Sequence, residues 1–117
     1  MITRNRELSQ RIKSVMQNQE KIFLYGILVD AEIQRQVLGR VLENVPDKLF
    51  GYKRSQISIE NEEYPVIVPD PSSSVSGIVV NVDEIELSKI DEYETTAYKR
   101  EKVKLESNAE VWVYIAR

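Results

Sequence analysis

The stretch EVWVYIAR, residues 110–117, is the part of the sequence from which the fold is most directly predicted. Side chains alternate along an extended strand, so Val111, Val113 and Ile115 share one face while Trp112 and Tyr114 share the other. A strand with large apolar residues on both faces is covered on both sides. The pattern therefore predicts a strand in the middle of a sheet.

Further strands are predicted in runs rich in β-branched and aromatic residues. These runs are residues 21–26, 49–59, 64–68, 75–82 and 98–105. The last of them, YKREKVKL, alternates as a half-exposed strand does. The segment PDPSSSVSG, residues 69–77, is typical of a loop. With two or three helices, this pattern predicts an α+β domain built as a small mixed β-barrel of about six strands with flanking helices.

Three helices are predicted from apolar spacing and N-terminal caps. The first spans residues 4–19, and its apolar face consists of Leu8, Ile12, Val15 and Met16. Asp30 is a suitable N-cap for the second helix. Its inward-facing residues are expected to be Ile33, Val37, Leu38, Val41 and Leu42. Asp83 followed by Glu86 is an aspartate version of the capping box and begins a third helix that runs to about Glu94.

Length and composition indicate one ordinary globular domain. The chain has 117 residues, of which 42% are hydrophobic and 30% are charged. We expect a single domain over 1–117, with an amphipathic helix over 1–20 and the barrel over 21–117. A net charge of -3 does not favour nucleic acid or an anionic membrane surface as a partner. No apolar run approaches the ~20 residues of a membrane span. The N-terminus lacks the apolar segment of a signal peptide, so a cytoplasmic location is expected.

The absence of cysteine and histidine excludes several kinds of site. Thiolate nucleophiles, disulfides, imidazole bases and most zinc sites need one of these residues. Proton transfer near neutral pH is then left to a carboxylate with a raised pKa, a lysine with a lowered pKa, or a tyrosine.

The segment KIDEYETTAYKR, residues 89–100, contains the carboxylate that best fits this requirement. On the third helix Glu94 projects between Leu87 and Ile90, in the middle of the apolar stripe. Asp91 lies at the edge of the stripe and is assigned to capping, whereas Glu92 points into solvent. A helix that ended before Glu94 would leave that residue in solvent as well. Otherwise Glu94 needs either partners or a function, because a buried carboxylate is costly.

Several short motifs in this order and spacing resemble the γ-glutamylcyclotransferase-like family, in particular its small AIG2-like bacterial branch. The resemblance covers residues 21–116. The motifs are LYGIL at 24–28, QRQVLGR at 34–40, FGYKR at 50–54, YPVIVP at 64–69, VSGIVVNV at 75–82, IDEYE at 90–94, YKR at 98–100 and VWVYI at 111–115.

The resemblance implies an enzyme that converts a γ-glutamyl amine or a related small γ-glutamyl compound to 5-oxoproline. Glu94 matches the family's general acid/base residue. The backbone loop that matches Tyr25, Gly26, Ile27 and Leu28 holds the glutamyl part of the substrate. The cyclisation is intramolecular and needs no metal and no cofactor. Tyr98 is close enough in sequence to Glu94 to line the same cavity, and it shares a strand face with Arg100. Its phenol either orients the substrate or packs in the core or at the rim of the cavity.

Two positions depart from the family pattern. Ile27 stands where a serine or threonine is usual, and it has no hydroxyl to offer a ligand. Thr95 follows the glutamate where glycine is common, and its β-branched side chain can narrow the pocket or change the backbone. Tyr64 and Pro65 are assigned to shaping the start of a strand.

Three kinds of function fit these features. The first is the cyclotransferase, and the second is a catalytically silent relative that binds a small amino-acid-like ligand. The third is a protein-interaction module in which the N-terminal helix docks a partner or a second copy of the chain. Apolar spacing does not separate that docking from packing of the helix on its own barrel. A monomer or weak homodimer is expected, and the leaving group of the substrate is open.

Overall fold

The computed structural model describes residues 19–117. The amphipathic face predicted at the N-terminus (Leu8, Ile12, Val15 and Met16) lies outside these residues. The described elements, in chain order, are β1 (Glu20–Leu24), a 3-10 turn (Ile27–Val29), α1 (Ala31–Leu38), β2 (Asn44–Ile59), β3 (Glu62–Val82), α2 (Glu84–Glu94), β4 (Tyr98–Lys104) and β5 (Glu110–Ala116).

The five strands form one sheet in the order β2-β3-β1-β5-β4. β1 and β5 are parallel, with Phe23 opposite Val113, and the other neighbouring pairs are antiparallel. β5 lies between β1 and β4, so the central position predicted from EVWVYIAR is confirmed. The architecture is an α+β curled half-barrel flanked by α1 and α2.

The number of strands differs from the prediction of about six. Residues 64–68 and 75–82 belong to one long strand, β3, and the segment predicted as a loop between them is extended. Its polar residues fall where the β2–β3 pairing changes register, between Phe50 and Tyr52, and Gly51 adopts a φ of 86° at that bulge. The loop prediction was wrong because pairing with β2 on both sides of the bulge keeps the chain extended.

Alternation along β1 and β5 divides the apolar core into two clusters. Ile22 and Leu24 join Tyr114 and the buried residues of both helices in the first cluster. Phe23 packs in the second cluster with residues contributed by the strands and by the segments that follow β1 and β4. The second cluster consists of Phe23, Tyr25, Leu49, Ile67, Val75, Leu105, Val111, Val113 and Ile115. The sheet therefore curls around its own side chains on one face and is covered by helices on the other.

Both helices of the described region begin where they were predicted to begin. Asp30 accepts hydrogen bonds from the N–H groups of Glu32 and Ile33, at 2.8 and 3.1 Å. Helix α1 ends at Leu38 because Gly39 adopts the left-handed conformation, with φ of 79°.

The inward assignment of Val41 was wrong. That residue lies beyond the end of α1 and is 44% exposed. Leu42, one position later, is buried as predicted. Among residues 19–117, no helix is long and apolar enough to span a bilayer.

Candidate functional site

A cavity of about 350 Å³ opens where β1, α2, β4 and the β2–β3 turn meet. All six residues predicted for the site contribute to its wall: Tyr25, Gly26, Ile27, Leu28, Glu94 and Tyr98. Tyr64 and Pro65, which the sequence assigned to shaping a strand, line it as well. Residues as far apart in the chain as Tyr25 and Tyr98, which are 73 positions apart, are therefore brought to one site.

Glu94 lies in the last turn of α2 and is partly buried on the cavity wall. No hydrogen bond or ion pair to its carboxylate is formed by any residue of 19–117. Burial raises the pKa of Glu94 from 4.5 to about 7, and the nearby charge of Asp91 adds to the increase. A carboxyl group with this pKa exchanges protons readily at neutral pH, as a general acid/base must.

Asp91 lies one turn earlier in α2. Its side chain was predicted to cap the helix, and that prediction was wrong. Its carboxylate accepts a hydrogen bond from the Tyr114 hydroxyl at 2.6 Å and forms an ion pair with Arg100 at 2.8 Å. The Arg100 guanidinium also lies over the ring of Trp112, 4.4 Å from its centroid. Asp91 is thus tied to β4 and β5. Glu92 is exposed, as predicted.

The loop from Tyr25 to Leu28 is held from two sides by polar side chains. Arg54 donates to the carbonyl oxygens of Tyr25 and Ser76, at 2.8 and 2.7 Å. The buried Gln34 donates to the carbonyl of Leu28 at 3.0 Å, and its own side-chain oxygen accepts from the N–H of Leu42. These contacts fix the backbone of the loop.

Sequence reasoning did not single out Arg54 or Gln34. Gln34 carried a usable signal, because it is a polar residue four positions before the inward-facing Leu38. Arg54 ends the motif FGYKR, but the motif does not reveal its partners, because these depend on how distant strands align.

The backbone N–H groups of this loop are the candidate ligand donors. Within the described part of the chain, the loop's own hydrogen bonds are donated by Val29 and Asp30, at 3.2 and 3.1 Å. None is donated by the N–H groups of Gly26, Ile27 or Leu28. The first N–H groups of α1 are unavailable, because Asp30 caps them.

Gly26 is required by a close approach rather than by a left-handed turn. Its φ is -113°, so the sharp turn does not depend on a positive φ. A β-carbon at this position would lie 3.2 Å from the Cγ atom of Pro65. A side chain at this position would therefore require the loop or the Pro65 ring to shift by a few tenths of an ångström.

Tyrosines form much of the remaining wall. The hydroxyl of Tyr98 donates to the carbonyl of Pro65 at 2.7 Å, and that of Tyr25 donates to the carbonyl of Tyr114. Burial raises the pKa of Tyr98 to about 12 and also raises the pKa of Tyr25 and Tyr114. These phenols stay neutral under physiological conditions. Tyr93 and Tyr114 were not predicted as site residues.

A family model described as gamma-glutamyl cyclotransferase, AIG2-like, matches residues 22–117. AIG2-like protein D of Arabidopsis thaliana is 33% identical over 85 residues, which is 72% of this chain and 55% of that protein. Protein AIG2 C of the same plant is 32% identical over 104 residues, which is 79% of this chain and 61% of that protein. The chain spans about half the length of these curated relatives. They are plant proteins, so the bacterial branch stays a prediction.

Solved structures show the same fold. A solution structure of an Arabidopsis thaliana protein superposes with a TM-score of 0.72 at 30% identity, covering 85% of this chain and 69% of that one. A structure named gamma-glutamyl cyclotransferase superposes with a TM-score of 0.66 at 17% identity, covering 85% and 67%. At that identity the second likeness supports the fold alone.

Proposed function

The chain belongs to the gamma-glutamyl cyclotransferase, AIG2-like family, and from that premise we propose that it forms 5-oxoproline from a γ-glutamyl amine or a related small γ-glutamyl compound. The observation that carries this proposal is Glu94, a carboxyl group without a protein partner among the described residues, on the wall of a cavity. Its pKa of about 7 suits a group that both accepts and returns a proton. We place the reaction in the cytoplasm.

In the proposed reaction, Glu94 accepts a proton from the α-ammonium group of the substrate. The freed amine attacks the γ-carbonyl carbon of the same molecule and forms the five-membered ring. Glu94 then returns the proton to the γ-amide nitrogen and the carbon–nitrogen bond breaks. The second proton of the ring nitrogen passes through Glu94 to the released amine, which leaves as an ammonium ion. No protein nucleophile is needed, because holding the two reacting groups in one bound molecule supplies most of the advantage.

The loop from Tyr25 to Leu28 would bind the glutamyl carboxylate. The N–H groups of Gly26, Ile27 and Leu28 make no internal hydrogen bond in the described chain, so they can donate to a carboxylate oxygen. Arg54 and Gln34 keep the loop in the conformation that presents them. The neutral phenol of Tyr98 faces the same cavity and would orient the substrate.

The test is release of 5-oxoproline from a panel of γ-glutamyl amines, γ-glutamyl dipeptides and γ-glutamyl-lysine. Wild type should turn over at least one of them, and Glu94→Gln should lose that activity while keeping its fold. Undiminished turnover by Glu94→Gln would refute the role proposed for this residue.

A second candidate, a catalytically silent relative that binds a small amino-acid-like ligand, is favoured by Ile27 and Thr95. Ile27 offers the cavity no hydroxyl, and Thr95 holds a φ of 63° that suits glycine. Wild type inactive on the panel, with Ile27→Ser gaining activity, would support this candidate. The interaction module depends on the N-terminal segment and stays a prediction, as does the monomer or weak homodimer.

A further inference from the structure

Asp91 joins the end of α2 to strands β4 and β5. Its carboxylate accepts the Tyr114 hydroxyl at 2.6 Å, and the guanidinium fork of Arg100 holds it from Nε at 2.8 Å and from Nη2 at 3.2 Å. Arg100 and Tyr114 lie directly opposite each other on β4 and β5, so their side chains share one face of the sheet. Three donors from two strands therefore converge on one carboxylate and fix its position.

The last turn of α2 lies beyond the buried apolar residues of that helix. These residues are Leu87 and Ile90, and within the described chain none of the helix residues after Ile90 is fully buried. The carbonyl of Asp91 accepts the N–H of Thr95 at 3.2 Å, which closes the turn. Glu94 lies within it, three residues after Asp91 and on the same side of the helix. The contacts of the Asp91 side chain therefore hold the segment that carries Glu94.

Tyr114 extends this connection to the other side of the cavity. Its backbone carbonyl accepts the hydroxyl hydrogen of Tyr25, the first residue of the loop, and the carbonyl of Tyr25 accepts from Arg54 at 2.8 Å. Tyr114 lines the cavity itself, whereas Asp91 lies outside its wall. One series of hydrogen bonds thus runs from the helix that carries Glu94 to the loop that would bind the glutamyl carboxylate.

We propose that Asp91 is a positioning residue for the reaction that Glu94 performs. Through Tyr114 and Arg100 it sets the distance between the Glu94 carboxyl group and the loop that binds the substrate. This inference rests on the proposed function and adds to it a residue that does not touch the substrate. Such a residue matters because a misplacement of about 1 Å removes much of the advantage of holding the reacting groups together.

The charges of Asp91 and Arg100 act on Glu94 in opposite directions. Burial raises the pKa of Glu94 to about 7, and the Asp91 charge adds to the increase. The Arg100 guanidinium offsets part of that charge. Five phenols also surround the cavity, and their raised pKa values keep them neutral. The remaining ionisable groups, unchanged in the charge variants below, are these phenols (Tyr25, Tyr64, Tyr93, Tyr98 and Tyr114), the exposed Glu60 of the β2–β3 turn, and Arg54 beside Tyr25.

The pH dependence of kcat/KM tests this balance on the intact chain, with any γ-glutamyl amide that the wild type turns over. Because kcat/KM falls as Glu94 becomes protonated, its acid limb reports the pKa of Glu94. Asp91→Asn leaves Arg100 without its counter-charge and should move the limb to lower pH by about half a pH unit. Arg100→Gln leaves Asp91 unbalanced and should move the limb to higher pH by a similar amount. Displacement of both limbs in one direction, or of neither, would overturn the inference.

Asp91→Ala tests the position of Glu94. The variant loses all three hydrogen bonds, so kcat should fall about tenfold while KM changes by less than about threefold, because the loop keeps its own contacts. Asp91→Asn should restore kcat, above its acid limb, to within about threefold of wild type, because the amide oxygen still accepts from Tyr114. Equal losses in the two variants, or a loss expressed mainly in KM, would contradict a positioning role.

Tyr114→Phe shows whether Asp91 acts through the tyrosine hydroxyl. Combined with Asp91→Ala, it should lower kcat little further than Asp91→Ala alone, since both substitutions remove the same contact. Fully additive losses would refute the connection. If Asp91→Ala does not fold, the opposite displacements in Asp91→Asn and Arg100→Gln decide.

Glu92→Gln is the matched control, because it removes the exposed carboxylate next to Asp91. Both kcat and the acid limb should stay at their wild-type values in this variant. An acid limb displaced as far as that of Asp91→Asn would show that any charge at this end of the helix has the same effect, which would overturn the specific role of Asp91.

A titration separates this inference from the proposed reaction. If no amide yields 5-oxoproline, carbon-13 NMR measures the pKa of Glu94 directly in wild type, Asp91→Asn and Arg100→Gln. A pKa that is lowered by the first substitution and raised by the second would support the arrangement around Asp91 although the proposed reaction fails. The same pKa in all three proteins would overturn the inference as well.

Discussion

The two ends of α2 place a glutamate in contrasting surroundings. Near the first turn, Glu86 is buried and fully engaged: it accepts from Arg40 at 2.7 and 2.8 Å and completes the capping box with the N–H of Asp83 at 3.1 Å. In the last turn, Glu94 is partly buried on a cavity wall, and no partner for it is found among residues 19–117. The hydrogen bonds from Arg40 lower the pKa of Glu86, whereas burial raises that of Glu94.

The difference in hydrogen-bond partners indicates which of these two carboxylates is a candidate for proton transfer. Burial alone does not decide which of them can act, since neither side chain is fully exposed: Glu86 is buried and Glu94 is partly buried. A carboxylate with charged and backbone donors is held in one ionisation state and stabilises the fold. A carboxylate that lacks donors changes its ionisation near neutral pH, and this is the property that proton transfer requires.

The largest expected effect is on turnover in Glu94→Gln. The amide keeps the size of the side chain but accepts no proton, so kcat should fall by about 10²–10⁴-fold on any substrate of the wild type. Stability should hold or rise, because an amide is less costly to bury than a carboxylate. An assay of 5-oxoproline release measures kcat, and urea unfolding measures stability. Glu86→Gln is the matched control and should keep kcat within about threefold.

The second expected effect is a pH dependence of stability with opposite signs at the two ends. The folded pKa of Glu94, about 7, exceeds its unfolded value of 4.5. Its contribution is therefore fully present below pH 4.5 and is lost as pH rises through 7, by on the order of 2–3 kcal/mol. The lowered pKa of Glu86 has the reverse consequence: its contribution is present above the unfolded pKa and is lost as pH falls.

Urea unfolding at pH 5 and pH 8 measures this difference. Relative to wild type, Glu94→Gln should gain stability at pH 8 and little at pH 5. A gain of the same size at both pH values would mean that Glu94 is not the group that titrates.

Much of α2 was predictable because its signals are local. The capping box joins residues three apart, and the apolar stripe places Glu94 one turn from Ile90. The contacts that decide its chemistry are not local. Arg40 lies 46 positions before Glu86, and Tyr114 lies 23 positions after Asp91. Asp91 was assigned to capping because the neighbouring sequence does not indicate its contacts with Tyr114 and Arg100.

The same limit explains the error in β3. Its polar bulge resembles a loop in every local respect, and only the pairing with β2 keeps it extended. The loop residues of the site, in contrast, were predicted from the resemblance of the segment around Gly26 to the family, which does not depend on knowing distant partners.

The third expected effect is a loss of stability in Glu86→Gln. The substitution weakens the charged hydrogen bonds from Arg40 and one half of the capping box, so unfolding free energy should fall by about 1–3 kcal/mol. Arg40→Gln should lose a similar amount. In a double-mutant cycle, the two losses should be strongly non-additive, since they remove the same contact. Additive losses would show that the ion pair contributes little.

The smallest expected effect concerns the residue that ends α2. Thr95 has φ of 63° and ψ of -173°, a backbone conformation that glycine adopts freely and a β-branched residue does not. Thr95→Gly should therefore raise the unfolding free energy by about 1 kcal/mol, even though it loses the hydrogen bond from the N–H of Ala97 to the threonine hydroxyl at 3.3 Å.

Thr96→Gly is the matched control. Thr96 has no positive φ, so glycine there should lower stability through the greater entropy of the unfolded chain. Urea unfolding of both variants gives the comparison, and a loss of stability in Thr95→Gly would contradict the assignment of strain.

The assay of 5-oxoproline release then measures whether the strain at Thr95 affects turnover. If the strain only ends the helix, Thr95→Gly keeps wild-type turnover. If it also holds Glu94 against the cavity, the more stable variant is the slower one, and the two ends of α2 then differ in strain as well as in charge.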